Sequence, residues 1–227
     1  MEKKNRYFQW IFLLGIVVSF GVQFVYILLP QWTLTLLQKL ILLSIQMISI
    51  GSYTHFRLIN SSLKERKKGF LKAHWIVFVI YCLNLIYVLF LDPDFGRQVF
   101  KETLSFEEYW KYNVNLDLFE TIQLFIRGYQ NHIVSLETLL RNILGNLIVF
   151  MPMAYFLPVL FACQRKVYIF LPTLFMMVLS VEVLQVIFRI GSGDVDDLFL
   201  NVVGAFLMYL FLKCLPLEHI YALKERN

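Results

Sequence analysis

Six runs of roughly 20 mainly apolar residues occupy most of this chain, and each is long enough to cross a roughly 30 Å hydrocarbon core as an α-helix. They cover 9–29, 34–53, 75–91, 143–161, 167–188 and 198–212. In lipid every backbone polar group has to be satisfied within the protein, so runs of this length must be helical. With 59% hydrophobic residues and a mean hydropathy of +0.64, the chain leaves little over for a separate soluble domain. The expected fold is all-α: a polytopic transmembrane helix bundle of about six spans. The second run is the most diluted, since it carries Gln38, Lys39 and Gln46.

Charge sets the orientation. Lys3, Lys4 and Arg6 precede the first run, and Lys64, Arg66, Lys67, Lys68 and Lys72 follow the second. Arg165 and Lys166 join the fourth and fifth runs, and Lys213, Lys224 and Arg226 follow the sixth. Basic residues collect on the cytoplasmic side, so six spans with both termini inside satisfy every short loop. The organisation expected is an N-terminal hairpin with a basic cytoplasmic loop (1–72), a membrane domain (73–215) and a cytoplasmic tail (216–227). The first run follows a basic start like a signal peptide, but it is long and lacks a small-residue cleavage pattern, so it reads as a retained anchor.

The net charge of +5 needs no nucleic-acid partner, because its bases face anionic lipid headgroups. The 64–72 stretch can also bind a specific lipid or a protein, although orientation alone explains it. Cys82, Cys163 and Cys214 form no disulfide framework or Cys-x-x-Cys metal site, and His55, His74, His132 and His219 are scattered. No cofactor is implied.

One external segment is long. Between 92 and 141 the acids Asp92, Asp94, Glu102, Glu107, Glu108, Asp117, Glu120 and Glu137 outnumber the bases Arg97, Lys101, Lys111, Arg127 and Arg141. Phe119, Ile122, Ile126 and Tyr129 recur at helical spacing, which predicts a short amphipathic helix at the membrane surface. Tyr109, Trp110 and Tyr112 suit the headgroup region.

The fourth run opens with Asn142 and Asn146 one helical turn apart, with Gly145 between them allowing close approach of a neighbour. Pro152 and Pro158 each remove a backbone hydrogen bond, which predicts a kink. Glu182, Gln185 and Arg189 then share a helical face in the fifth run, Asp194, Asp196 and Asp197 fill an external turn, and Asn201 begins the sixth. Gly191 and Gly193 let that turn adopt unusual backbone angles.

Ionisable groups this close to lipid are costly and are functional candidates by default. Glu182, Arg189 and Asp197 are the candidates for chemistry, with Glu182 able to act as general acid or base or to pair structurally with Arg189. Asp196 or Asp197 can cap the sixth helix. The three aspartates can also offer oxygen ligands to Ca²⁺ or Mg²⁺, though their spacing matches no EF-hand.

Two blocks carry a family resemblance. NILGNLIVFMPMAYFLP, starting at Asn142, resembles the Asn-x-x-x-Asn, Phe-x-Pro and Leu-Pro pattern of the VanZ-like family. Ser180, Glu182, Gln185, Arg189, Asp194, Asp196, Asp197, Asn201 and Gly204 resemble its second block. NLDLF at 115–119 looks like the family's Asn-Leu-x-Pro-Phe segment, with Asp117 and Leu118 in place of its apolar-Pro pair, and Ala154 replaces a common glycine. The resemblance covers the chain from the third run onward, leaving the first two runs as an added hairpin.

It implies a bacterial cell-membrane protein connected with susceptibility to teicoplanin and related lipoglycopeptides. The implied binding set is Asn142, Asn146, Glu182, Gln185, Arg189, Asp194, Asp196, Asp197 and Asn201. Membrane lipids are the expected partners, together with a lipid-linked cell-wall precursor or a lipoglycopeptide held in an outer-leaflet polar pocket. The alternative is an intramembrane enzyme acting on such a lipid with Glu182 as acid/base. A transporter fits less well, since the runs show no inverted repeat.

Overall fold

Hydrogen-bonding side chains set where several helices of this chain begin. The computed structural model describes residues 2–29, 34–92 and 105–216; Asp94, Arg97, Lys101, Glu102, His219, Lys224 and Arg226 lie outside them, as does the tail beyond Pro216. The helices are α1 (Glu2–Leu28), α2 (Leu36–Leu58), α3 (Leu63–Phe90), α4 (Phe106–Asn113), α5 (Glu120–Gln130), α6 (Leu136–Val149), α7 (Met153–Leu160), α8 (Val167–Phe188) and α9 (Val195–Lys213). Thr35 with Gln38 and Ser105 with Glu108 form reciprocal capping boxes at the starts of α2 and α4, and Ser135 caps α6.

The protein is a polytopic transmembrane helix bundle. Among the described residues, five helical stretches are long and apolar enough to cross a membrane: Asn5–Leu28, Leu63–Phe90, Leu136–Leu160, Val167–Phe188 and Val195–Lys213. The second expected run folds as α2, which has 23 residues but is not among the five. Its Gln38 and Lys39 lower the hydropathy of the stretch. The basic stretch 64–72, expected as a loop, forms the first turns of α3.

The described residues fall into two compact units whose boundary lies inside α3, between Asn84 and Leu85. In the first, Phe56 stacks on Phe8 and Phe12 with ring centroids 5.0 and 5.8 Å away. Gln46 donates to Gln23 at 2.6 Å, Gln23 to Asn84 at 2.7 Å, and Asn84 to the Ile80 carbonyl at 2.8 Å. That amide chain fastens α2, α1 and α3 together in a setting where apolar contact between helices gains little over contact with lipid.

In the second unit, Pro152 separates α6 from α7. Its ring denies the Ile148 carbonyl the usual partner four residues on, and Met151 N–H takes that carbonyl at 3.0 Å instead. A 3-10 turn, Ala162–Arg165, leads into α8. Phe170 of α8 stacks on Tyr209 of α9 at 4.1 Å, and the Tyr209 hydroxyl donates to the Arg165 carbonyl at 2.7 Å. Backbones approach closely at Gly204. A Cβ there would stand 1.8 Å from the Leu147 carbonyl oxygen of α6, so only glycine lets α9 lie against that turn.

Candidate functional site

The chain reverses sharply after α8. The expected helical face of Glu182, Gln185 and Arg189 stops one residue short, because Arg189 is left-handed (φ 55°, ψ 44°) and caps the helix C-terminus. Ile190 N–H closes the end on the Gln185 carbonyl at 2.9 Å, and Gly191 follows with φ 79°, a conformation that glycine adopts without penalty. The next residues form a two-residue strand, β2 (Gly193–Asp194), which pairs in parallel with β1 (Val114–Asn115), Val114 opposite Gly193 and Asn115 opposite Asp194. The segment after α4 is thereby joined to the α8–α9 turn.

Each aspartate of the turn has a different task. Asp194, not Asp196 or Asp197, is the N-cap of α9, accepting from Asp196 N–H at 2.9 Å. The Asp196 carboxylate is fully buried and reaches a helix other than its own: it accepts from the backbone N–H groups of Phe119 and of Ile122, the latter at 2.9 Å. Phe119 begins α5 in a left-handed conformation with no side-chain cap of its own, so Asp196 caps α5 from 77 residues away. Asp197 accepts from the Asn146 amide of α6.

The two asparagines of α6 therefore part company. Asn146 joins the cluster, whereas Asn142 donates to the Thr138 carbonyl of its own helix at 2.9 Å. Asn201 likewise donates along α9, to the Asp197 carbonyl at 2.8 Å.

Glu182 and Gln185 bring α8 to the same place. Both are buried, with Gln185 only 1% exposed. A Glu182 carboxylate oxygen lies 3.4 Å from Asp194 N–H, and the Gln185 amide donates to the Leu89 carbonyl of α3 at 2.8 Å. Burial pushes the Asp194 carboxyl above the usual aspartate range, the neighbouring Asp196 carboxylate adds to this, and hydrogen bonds from Thr121 and Asp196 N–H oppose it.

Among the described residues no group of three or more His, Cys, Asp or Glu side chains could hold a metal ion. Asp194, Asp196 and Asp197 do not converge on one point, because each accepts from a different protein donor.

The VanZ/LLP1 family matches residues 78–216, which contain every one of these residues. The chain belongs to the VanZ/LLP1 family. No curated protein and no solved structure matches it. The matched region begins within α3 and runs to the end of α9, so α1 and α2 precede the VanZ/LLP1 region.

Within that region the structure adds residues that periodicity passes over. Tyr109, expected at the headgroups, is buried, and its hydroxyl donates to the Gly191 carbonyl at 2.9 Å, while Trp110 and Tyr112 are exposed. Asn115 donates to the Thr121 hydroxyl at 2.8 Å and accepts from Asp117 N–H at 2.9 Å, folding NLDLF into the turn that presents Phe119 to Asp196. For Asn115 the only signal in the sequence was the NLDLF likeness itself.

Proposed function

We propose that this VanZ-type membrane protein resides in a bacterial cell membrane and lowers susceptibility to teicoplanin and related lipoglycopeptides. Both termini are cytoplasmic, and the cluster around Glu182 faces the outer leaflet. There it engages a lipid-linked envelope component or the acyl chain of the drug. The observation that carries the reading is the placement of buried Glu182, Gln185 and Asn201 on helices that cross the membrane, beside three aspartates already occupied as ties. Polar groups are expensive within membrane-crossing helices, so their gathering at one end of α8 and α9 is what the reading rests on.

The test is teicoplanin and vancomycin susceptibility in a deletion host carrying wild-type protein, Glu182→Gln or an empty vector, with membrane levels matched by immunoblot. Wild-type protein protects against teicoplanin and Glu182→Gln does not. Equal protection by both would take the function away from Glu182, and no protection by wild type would remove the resistance role. Turnover of a lipid-linked precursor that stops in Glu182→Gln would instead make the cluster an enzyme site with Glu182 as acid/base.

A further inference from the structure

On α8 and α9, which pack against each other, two buried side-chain oxygens have no hydrogen-bond partner among the described residues: Gln185 Oε1 and Asn201 Oδ1. Gln185 is 1% exposed and Asn201 2%. Neither amide gains by turning over. Each uses its NH₂ on a backbone carbonyl, of Leu89 and of Asp197 respectively, so a flip would set oxygen against oxygen. Both side chains are therefore fixed with an acceptor to spare, and an unmatched buried acceptor is costly.

The surroundings are of the same kind. Gln185 stands one helical turn beyond Glu182, and Asn201 one turn beyond Asp197. Glu182 and Asp194 link α8 to the start of α9. Arg189 is the only lysine or arginine between Val167 and Leu212. A phosphate would meet carboxylates and amide oxygens here, whereas a hydroxyl or ammonium group would meet what it needs.

We propose that Gln185 Oε1 and Asn201 Oδ1, with Glu182, form a recognition site for the hydrogen-bond donors of a lipid headgroup, its ammonium or hydroxyl groups, rather than for its phosphate. This rests on the reading of the cluster as the part that engages a lipid-linked ligand, and it names the chemistry by which it does so.

The experiment titrates the purified full-length protein in detergent micelles with dioctanoyl phosphatidylethanolamine, phosphatidylglycerol and phosphatidylcholine. All three share chains, glycerol and phosphate, but the choline headgroup has no N–H or O–H donor. Phosphatidylethanolamine or phosphatidylglycerol binds about tenfold more tightly than phosphatidylcholine, the ratio expected from one newly satisfied acceptor. Equal affinity for all three overturns the proposal, as ordered water in place of a ligand donor would give that result.

Gln185→Leu and Asn201→Leu, made separately, each lower the ratio toward one without weakening phosphatidylcholine binding. A ratio that survives in both folded variants overturns the proposal as well. Free ethanolamine or glycerol competing at the lipid concentrations would keep the donor chemistry and make its source a soluble solute. Loss of the ratio with teicoplanin protection intact would remove this inference alone. Unchanged protection by Glu182→Gln with the ratio intact would remove only the resistance role.

Discussion

Replacing Asp196 with alanine removes the cap on α5 without touching α5 itself. The wild-type carboxylate is fully buried and accepts from two backbone N–H groups at the first turn of an 11-residue helix that lacks a cap of its own. A hydrogen bond to a charged acceptor is worth about 1.5–3 kcal/mol. Two are lost, but the freed N–H groups gain some water once the turn opens, so the expected cost is about 2–4 kcal/mol. Hydrogen exchange read by mass spectrometry on detergent-solubilised protein should show α5 amides exchanging roughly 30- to 1,000-fold faster, at about 1.4 kcal/mol per tenfold. The central α9 amides should change little, because Asp194 still caps that helix. Asp196→Asn keeps one acceptor oxygen and should fall between wild type and alanine. Unchanged α5 exchange in Asp196→Ala would refute the cross-chain cap.

Gly204→Ala sets a Cβ against the Leu147 carbonyl and should lower stability by about 3 kcal/mol, the upper end for overpacking, seen as a lower thermal midpoint in detergent. Tyr109→Phe removes the bond to the Gly191 carbonyl and should cost about 1 kcal/mol in the same assay. Asp194 has a folded pKa raised above the ordinary aspartate value of 3.8, so the folded protein holds that proton more tightly than the unfolded chain. Its contribution to stability is therefore lost as pH rises from that value through the folded pKa. Asp194→Asn keeps a capping side chain and should flatten this part of the pH–stability curve, whereas a fall as steep as in wild type would assign the titration elsewhere.

The apolar runs made most of the bundle legible. α8 begins and ends where the fifth run does, and the amphipathic helix expected from Phe119, Ile122, Ile126 and Tyr129 is α5. The helical face drawn through Glu182, Gln185 and Arg189 nevertheless ran one residue past that end, because nothing in the side-chain pattern there shows that Arg189 turns left-handed. Helical periodicity grouped Asn142 with Asn146, yet only one points across to α9, and it did not single out Gly204 for the close approach to Leu147. The ties of Asp196 to Phe119 and of Tyr109 to Gly191 join residues 77 and 82 positions apart. Single long-range hydrogen bonds leave no periodic trace, so the cluster could be located from sequence but its wiring could not.

The account requires the α8–α9 turn to face the outside, where lipoglycopeptides act. Ser192 is exposed in that turn, while the native Cys163 and Cys214 are exposed at the opposite ends of α8 and α9. The direct test is labelling of Ser192→Cys in intact cells with a membrane-impermeant maleimide, with wild type as control. The account predicts that Ser192→Cys labels in intact cells, whereas wild type labels at Cys163 and Cys214 only after permeabilisation. Labelling of wild type in intact cells, with no added signal from Ser192→Cys until the membrane is opened, would contradict it.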